Sequence, residues 1–184
     1  MRACLLASLL ATLITTAAAS DATLSSYPNS ALAGAPKVTK TSSLALSLPA
    51  NTPGSSAELL ATLTAPASAD YAFSCNITGQ GNVILWLDDH LYCGSLPLFA
   101  PETAPLPPFA ALTKGEPHHL RVRFLQHGTS AAAATLSVLW SVYGSNTSVP
   151  TLIPPSAVGA VSSASPQVAR DAMQKKLATG WGSW

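Results

Sequence analysis

DYAFSCNITGQGNVILWLDDHLYCG, residues 70–94, is the stretch from which the fold can be read. Tyr71, Phe73 and Cys75 alternate with small or polar residues, which is the period of a strand with one buried face. Val83 to Leu87 is an almost unbroken apolar run, so a strand buried on both sides is expected there. Asp88-Asp89-His90 then reads as a turn, and Leu91 to Cys93 as a short return strand.

The same period extends outward in both directions. LLATLT after Glu58 is strand-like, Pro66 ends it, and a turn at Ala67 to Asp70 leads into the quoted segment. Residues 94–111 hold five prolines, a density that excludes a central strand and implies an irregular loop. Leu120, Val122 and Phe124 alternate with His119, Arg121 and Arg123, and Leu136, Val138 and Trp140 repeat that pattern after the polar QHGTS turn. Trp86 and Trp140 are expected in the core. Short strands joined by turns, with no helical period among them, make the fold all-β: an antiparallel β-sandwich or barrel.

The ends read differently. Residues 1–20, MRACLLASLLATLITTAAAS, have the length and small-residue ending of a secretory signal peptide, the rival being an uncleaved anchor. Residues 21–56 are rich in Ser, Ala, Pro and Gly, and read as a flexible leader with one short strand at Ser43 to Leu48. Residues 57–158 form the sandwich, and 159–184 a linker with a helix at 166–178. Ser165-Pro166 opens that helix, Val168, Ala172, Met173 and Leu177 share one face, and Gly180 ends it. The closing GWGSW suggests a docked tail or a longer polypeptide.

Of 184 residues, 48% are hydrophobic and only 9% charged. Without the signal the chain is formally neutral, so no electrostatic case exists for nucleic acid or anionic lipid, and no membrane partner is expected after cleavage. Secretion leaves Cys75 and Cys93 where a pair would oxidise. A disulfide stapling neighbouring strands is the leading reading, over two free buried thiols, and a zinc site would need more ligands than are at hand. The sequons at Asn76 and Asn146 fit the same compartment.

Asp88 and Asp89 supply hard oxygens that suit Ca²⁺, but a full site takes six to eight, and aspartates at a hairpin bond their own backbone. Adjacent residues diverge, so the two carboxyls do not face each other across a glycosidic bond. His90, His118, His119 and His127 lack the spacing of a helical zinc pair, and no nucleophile elbow, phosphate loop or dinucleotide fingerprint occurs. No catalytic residue, cofactor or metal site is assigned. A ligand surface is expected beside the doublet, from Asp88, Asp89 and His90 with Tyr92, Phe99 and Phe109, whose rings can stack on sugars.

In order, DYAFSC, VILWLDD, LTKGEPHHLRVRF, AATLSVLW and LIPPSAV resemble the PA14 domain over about residues 57–158. The resemblance implies a β-sandwich of the kind found in secreted glycosidases, adhesins and toxins, often as a carbohydrate-binding module. In the sugar-binding adhesin members a doubled aspartate just before the Leu-Trp strand binds Ca²⁺; here Gln80 and Gly81 stand in its place, and Asp89 replaces a usual turn glycine. MQKKLATGWGSW is similar to linkers that precede glycoside hydrolase domains. The resemblance therefore implies a secreted, non-catalytic accessory module for a glycan or cell-wall polysaccharide, with a structural or adhesive domain lacking sugar specificity as the alternative.

Overall fold

The computed structural model describes residues 21–50, 54–94, 108–127, 133–145 and 149–161. Within them lie β1 (Ala22–Tyr27), β2 (Lys37–Thr41), β3 (Ala45–Leu48), β4 (Ser56–Thr64), β5 (Ala69–Thr78), β6 (Gly81–Leu87) and β7 (His90–Gly94). These are followed by β8 (Ala110–Leu112), β9 (Pro117–Gln126), β10 (Ala134–Val142), β11 (Thr151–Leu152), a 3-10 turn at Pro155–Ala157, and β12 (Val158–Gly159). One sheet runs β2-β1-β4-β9-β6-β7, with β12 beside β4; the other runs β11-β10-β5-β8, with β3 also against β10. The paired strands are antiparallel. From β3 to β6 the chain changes sheet at every step, which interlaces the two layers.

Alternation sets which side chains meet between the layers. Leu59, Ala61 and Leu63 of β4, Val83, Leu85 and Leu87 of β6, and Leu120, Val122 and Phe124 of β9 pack inward from the first sheet. Tyr71 of β5 and Leu136, Val138 and Trp140 of β10 meet them from the second, with the Tyr71 and Trp140 rings stacked at 4.7 Å. Gly81 opens β6 because no side chain fits: a Cβ there would lie 2.8 Å from Phe124 Cε2 and 2.9 Å from the Leu125 carbonyl.

The residues expected as a flexible leader with one short strand at Ser43 to Leu48 carry that strand, as β3, and two more before it, β1 and β2. Ala22 and Tyr27 are buried on β1, Leu44 lies buried just before β3, and Leu46 and Leu48 are buried on β3. Asn29 organises the β1–β2 connection: its side-chain oxygen accepts from the backbone N–H groups of Ala31 and Ala33, and its amide donates to the Ala33 carbonyl. Sparse apolar residues suffice here because each lands on an inward position of a strand that already has a partner. The helix expected at 166–178 lies outside the described residues.

Cys75 and Cys93 are bonded, with Cα atoms 6.2 Å apart, within the range a disulfide spans. The strands it joins are not neighbours in one sheet, however. β5 belongs to the second sheet and β7 is the edge of the first, so the bond crosses between layers. A bulge makes this possible. Where β6 pairs with β7, the register shifts between Leu85 and Trp86, which lie opposite Cys93 and Leu91. The extra residue, Tyr92, lets both Tyr92 and Cys93 pack on the core.

Replacing both cysteines by alanine should lower the unfolding free energy by about 3 kcal/mol, the loop-closure value for a segment of this length. Urea denaturation of the oxidised protein and the double variant measures it, and coincident curves would contradict a stabilising cross-layer staple.

Candidate binding surface

The doubled aspartate is a two-residue hairpin. Leu87 pairs with His90 across it, and Asp88 and Asp89 adopt φ of 48° and 67°. Positive φ at both central positions defines the turn whose twist matches the strands, and aspartate tolerates it better than most residues. Asp88 is held from outside the hairpin as well. Its Oδ1 accepts the His119 backbone N–H at 2.7 Å, its Oδ2 accepts from His118 Nδ1 at 2.6 Å, and its own N–H donates to the His119 carbonyl at 2.9 Å. His118 Nε2, on the far side of that ring, is buried without a hydrogen-bond partner among the described residues. Asp88 is thus committed to β9, which fixes the β6–β7 corner against the start of the central strand.

The remaining expected residues do not gather into one site. His90 turns back on the hairpin, its Nδ1 lying 3.0 Å from the Asp88 carbonyl. Tyr92 packs on Phe73, ring centroids 5.5 Å apart, and its hydroxyl pKa is raised, first by burial and then by the Asp88 charge. Phe109 lies just before β8, on the other sheet, and meets Tyr143 at 4.7 Å. Phe99 and Asn146 lie outside the described residues. Asn76 is exposed on β5; Thr78 of the same sequon is exposed too, with its hydroxyl hydrogen-bonded to that of Thr135.

Tyr143 was not singled out in the sequence, yet it is 48% exposed at the end of β10. Its N–H donates to the Asp70 carbonyl at 2.7 Å, and Phe109 backs its ring. Its only sequence signal is an aromatic just past the alternating apolar run.

Trp86 departs from the core expectation. It is only partly buried on the outer face of the first sheet, where the guanidinium carbons of Arg121 and Arg123 lie 5.4 and 5.8 Å from its ring centroid. Glu58 is paired in register with Arg123 and adjoins Arg121 on that face. Its Oε1 accepts Arg121 Nε at 2.8 Å, Arg121 Nη2 at 2.5 Å and Arg123 Nε at 3.0 Å. Glu58 is only 2% exposed. Burial alone would raise its carboxyl pKa, but the two guanidinia overcome that and hold it below its ordinary value. Burial in turn lowers the Arg121 pKa against the pull of Glu58.

The calcium-site position of the resemblance is filled differently here. Gln80 offers its carbonyl to the His127 N–H at 3.1 Å, and Phe124 occupies the space a side chain at Gly81 would need. Among the described residues no three His, Cys, Asp or Glu side chains are grouped to hold a metal ion.

No protein-family profile and no curated protein sequence matches this chain. Solved structures share its fold. The PA14 domain of the MpAFP antifreeze protein is similar over 76% of this chain and 90% of that domain, at 8% identity and a TM-score of 0.53. An anti-sigma factor domain-containing protein from Clostridium clariflavum is similar over 77% of this chain at 13% identity and a TM-score of 0.57. The transport component C2-II of the C2 toxin from Clostridium botulinum is similar over 76% at 13% identity and a TM-score of 0.53. This chain spans 47% and 27% of those two larger proteins. These likenesses establish a PA14-like β-sandwich fold.

Two outcomes follow from the charged groups. Asp88→Ala leaves two donors of β9 unmatched and should cost about 1–3 kcal/mol, with Asp88→Asn costing less; a thermal midpoint unmoved by Asp88→Ala would refute the clamp. Because the folded pKa of Glu58 lies below its ordinary 4.5, its ion pairs stabilise the fold above that pH, and the contribution is lost as pH falls through the folded pKa. Glu58→Gln should cost about 3 kcal/mol at neutral pH and flatten the acid limb of stability against pH, which denaturant titration from pH 7 to 3 resolves.

Proposed function

We propose that this chain is a secreted carbohydrate-binding accessory module, serving as the non-catalytic partner of a glycoside hydrolase domain. The observation that carries the reading is the Phe109–Tyr143 pair at the rim of a PA14-like sandwich. A half-exposed phenol ring with a second ring tilted against it at 4.7 Å can offer an apolar surface to a sugar while its hydroxyl stays hydrated. Asp70, bound through its carbonyl to the Tyr143 backbone, puts a carboxylate-bearing residue beside it. Sugar specificity needs a few such polar groups near an aromatic platform. Phe109 adjoins β8 and Tyr143 adjoins β10, and both strands pair with β5, which brings the two rings together. The signal-peptide reading of residues 1–20, the sequons and the disulfide fit an extracellular address.

One observation favours the adhesive alternative. Val142, Val149 and Leu152 are also exposed on β10 and the segment after it, Val149 at 74%, and apolar side chains around an aromatic also suit a protein partner.

Glycan-array binding by the purified protein tests the reading. Wild type should bind a defined set of glycans, and Tyr143→Ala should weaken that binding at least about tenfold, or about 1.4 kcal/mol, without lowering the thermal midpoint by more than a few degrees. An array without signal from well-folded protein would overturn it in favour of the adhesive alternative.

A further inference from the structure

The outer face of the first sheet carries a second feature, on the sheet opposite Phe109 and Tyr143. Arg123 is fixed in two ways: its Nε donates to buried Glu58, and its guanidinium lies over Trp86. Neither contact uses the terminal Nη1 and Nη2 edge, which makes no hydrogen bond to the described residues, and the side chain is 28% exposed. A guanidinium bonded through its Nε and set 5.8 Å from an indole centroid has less freedom than an unheld surface arginine, with its terminal edge left for a ligand. Carboxylate and sulfate groups match the fork of that edge with two parallel hydrogen bonds. Arg121, one residue pair along the same face, bonds the same Glu58 oxygen and also feels the charge of Asp89, so its own charge is balanced and the free edge is that of Arg123. Pre-setting the fork removes much of the ordering cost that a free surface arginine incurs on binding.

We propose that the Arg123 edge is a second, separate binding site, on the other face of the sandwich from Phe109 and Tyr143, that takes acidic saccharides by the carboxylate of a uronate or the sulfate of a sugar ester. The saccharide scaffold rests on the preceding functional reading; the anion preference rests on the arginine geometry alone. Lysine at this position would keep the charge and lose the fork. Glutamine would lose both, while Arg121 still holds Glu58.

The test is titration calorimetry at low and high salt with an oligogalacturonate, a sulfated gluco-oligosaccharide and a neutral gluco-oligosaccharide of equal length, on wild type, Arg123→Gln, Arg123→Lys and Tyr143→Ala. Wild type should bind at least one acidic ligand about tenfold or more tightly than the neutral one, and salt should erode the difference. Binding of only one acidic ligand identifies the anion as carboxylate or sulfate. Arg123→Gln should abolish the preference and leave neutral binding unchanged; Arg123→Lys, which preserves an ion pair to Glu58 should Gln fail to fold, should lose most of it. Equal binding of acidic and neutral ligands by wild type, or a preference that survives in both variants, would overturn the subsite while the sugar reading stands. Absence of binding to all three would overturn the subsite, and the array result would then decide the sugar reading separately.

Discussion

Strand β9 has to meet two opposed demands at once, and the sandwich depends on its doing so. It lies between β4 and β6 in the larger sheet, so its inward residues must be apolar, and Leu120, Val122 and Phe124 are fully buried. Its outward residues include two arginines beside Glu58 of β4, a carboxylate that is itself removed from solvent. A buried charge is tolerable only when paired, and the antiparallel register supplies the pairing: the same hydrogen-bond ladder that places Leu59 opposite Val122 places Glu58 opposite Arg123. A one-residue slip would turn the arginines into the core and strand the glutamate. Register and charge pairing therefore specify one another.

The other fixed points extend from that strand. At its start, the Asp88 carboxylate ties the β6–β7 hairpin to His118 and His119. Toward its end, Phe124 fills the space beside Gly81 where β6 begins. The third tie lies across the layers, where the bulge in β7 turns Cys93 inward to Cys75. These ties act on both ends of β6, the strand that carries Trp86, and on the edge strand β7 beside it. The two guanidinia near that indole thus lie beside the strand held by these ties, whereas Phe109 and Tyr143 adjoin the smaller sheet.

Alternation in the sequence made the central strands legible, because side-chain period in a half-buried strand is two whatever the topology. That is why Leu120–Phe124 and Leu136–Trp140 could be assigned before their partners were known. β1 and β2 escaped the same reading, because Leu24 and Tyr27 are few and separated by Ser and composition pointed to a flexible segment, whereas the strand expected at Ser43 to Leu48 is β3. Trp86 was misplaced because an apolar run does not say which of its members face out, and the arginines that cover it are 35 and 37 residues away in sequence. The disulfide was legible as a pair but not as a link between layers, since sheet membership follows from long-range pairing. The aromatic pair at the surface was least legible: Tyr143 and Phe109 are brought together by the pairing of β5 with both β8 and β10, which no local pattern records.

The reading of this sandwich as a sugar-binding module is tested most directly by mapping a glycan onto it in solution. Amide and aromatic resonances of the isotopically labelled protein would be followed during titration with an oligosaccharide drawn from the array. Saturable shifts centred on Tyr143, Phe109 and Asp70, with the inner strands β4 and β9 undisturbed along their core side, are the predicted result. Shifts that are absent at saturating sugar, or that centre on the Asp88–Asp89 hairpin instead, would contradict it.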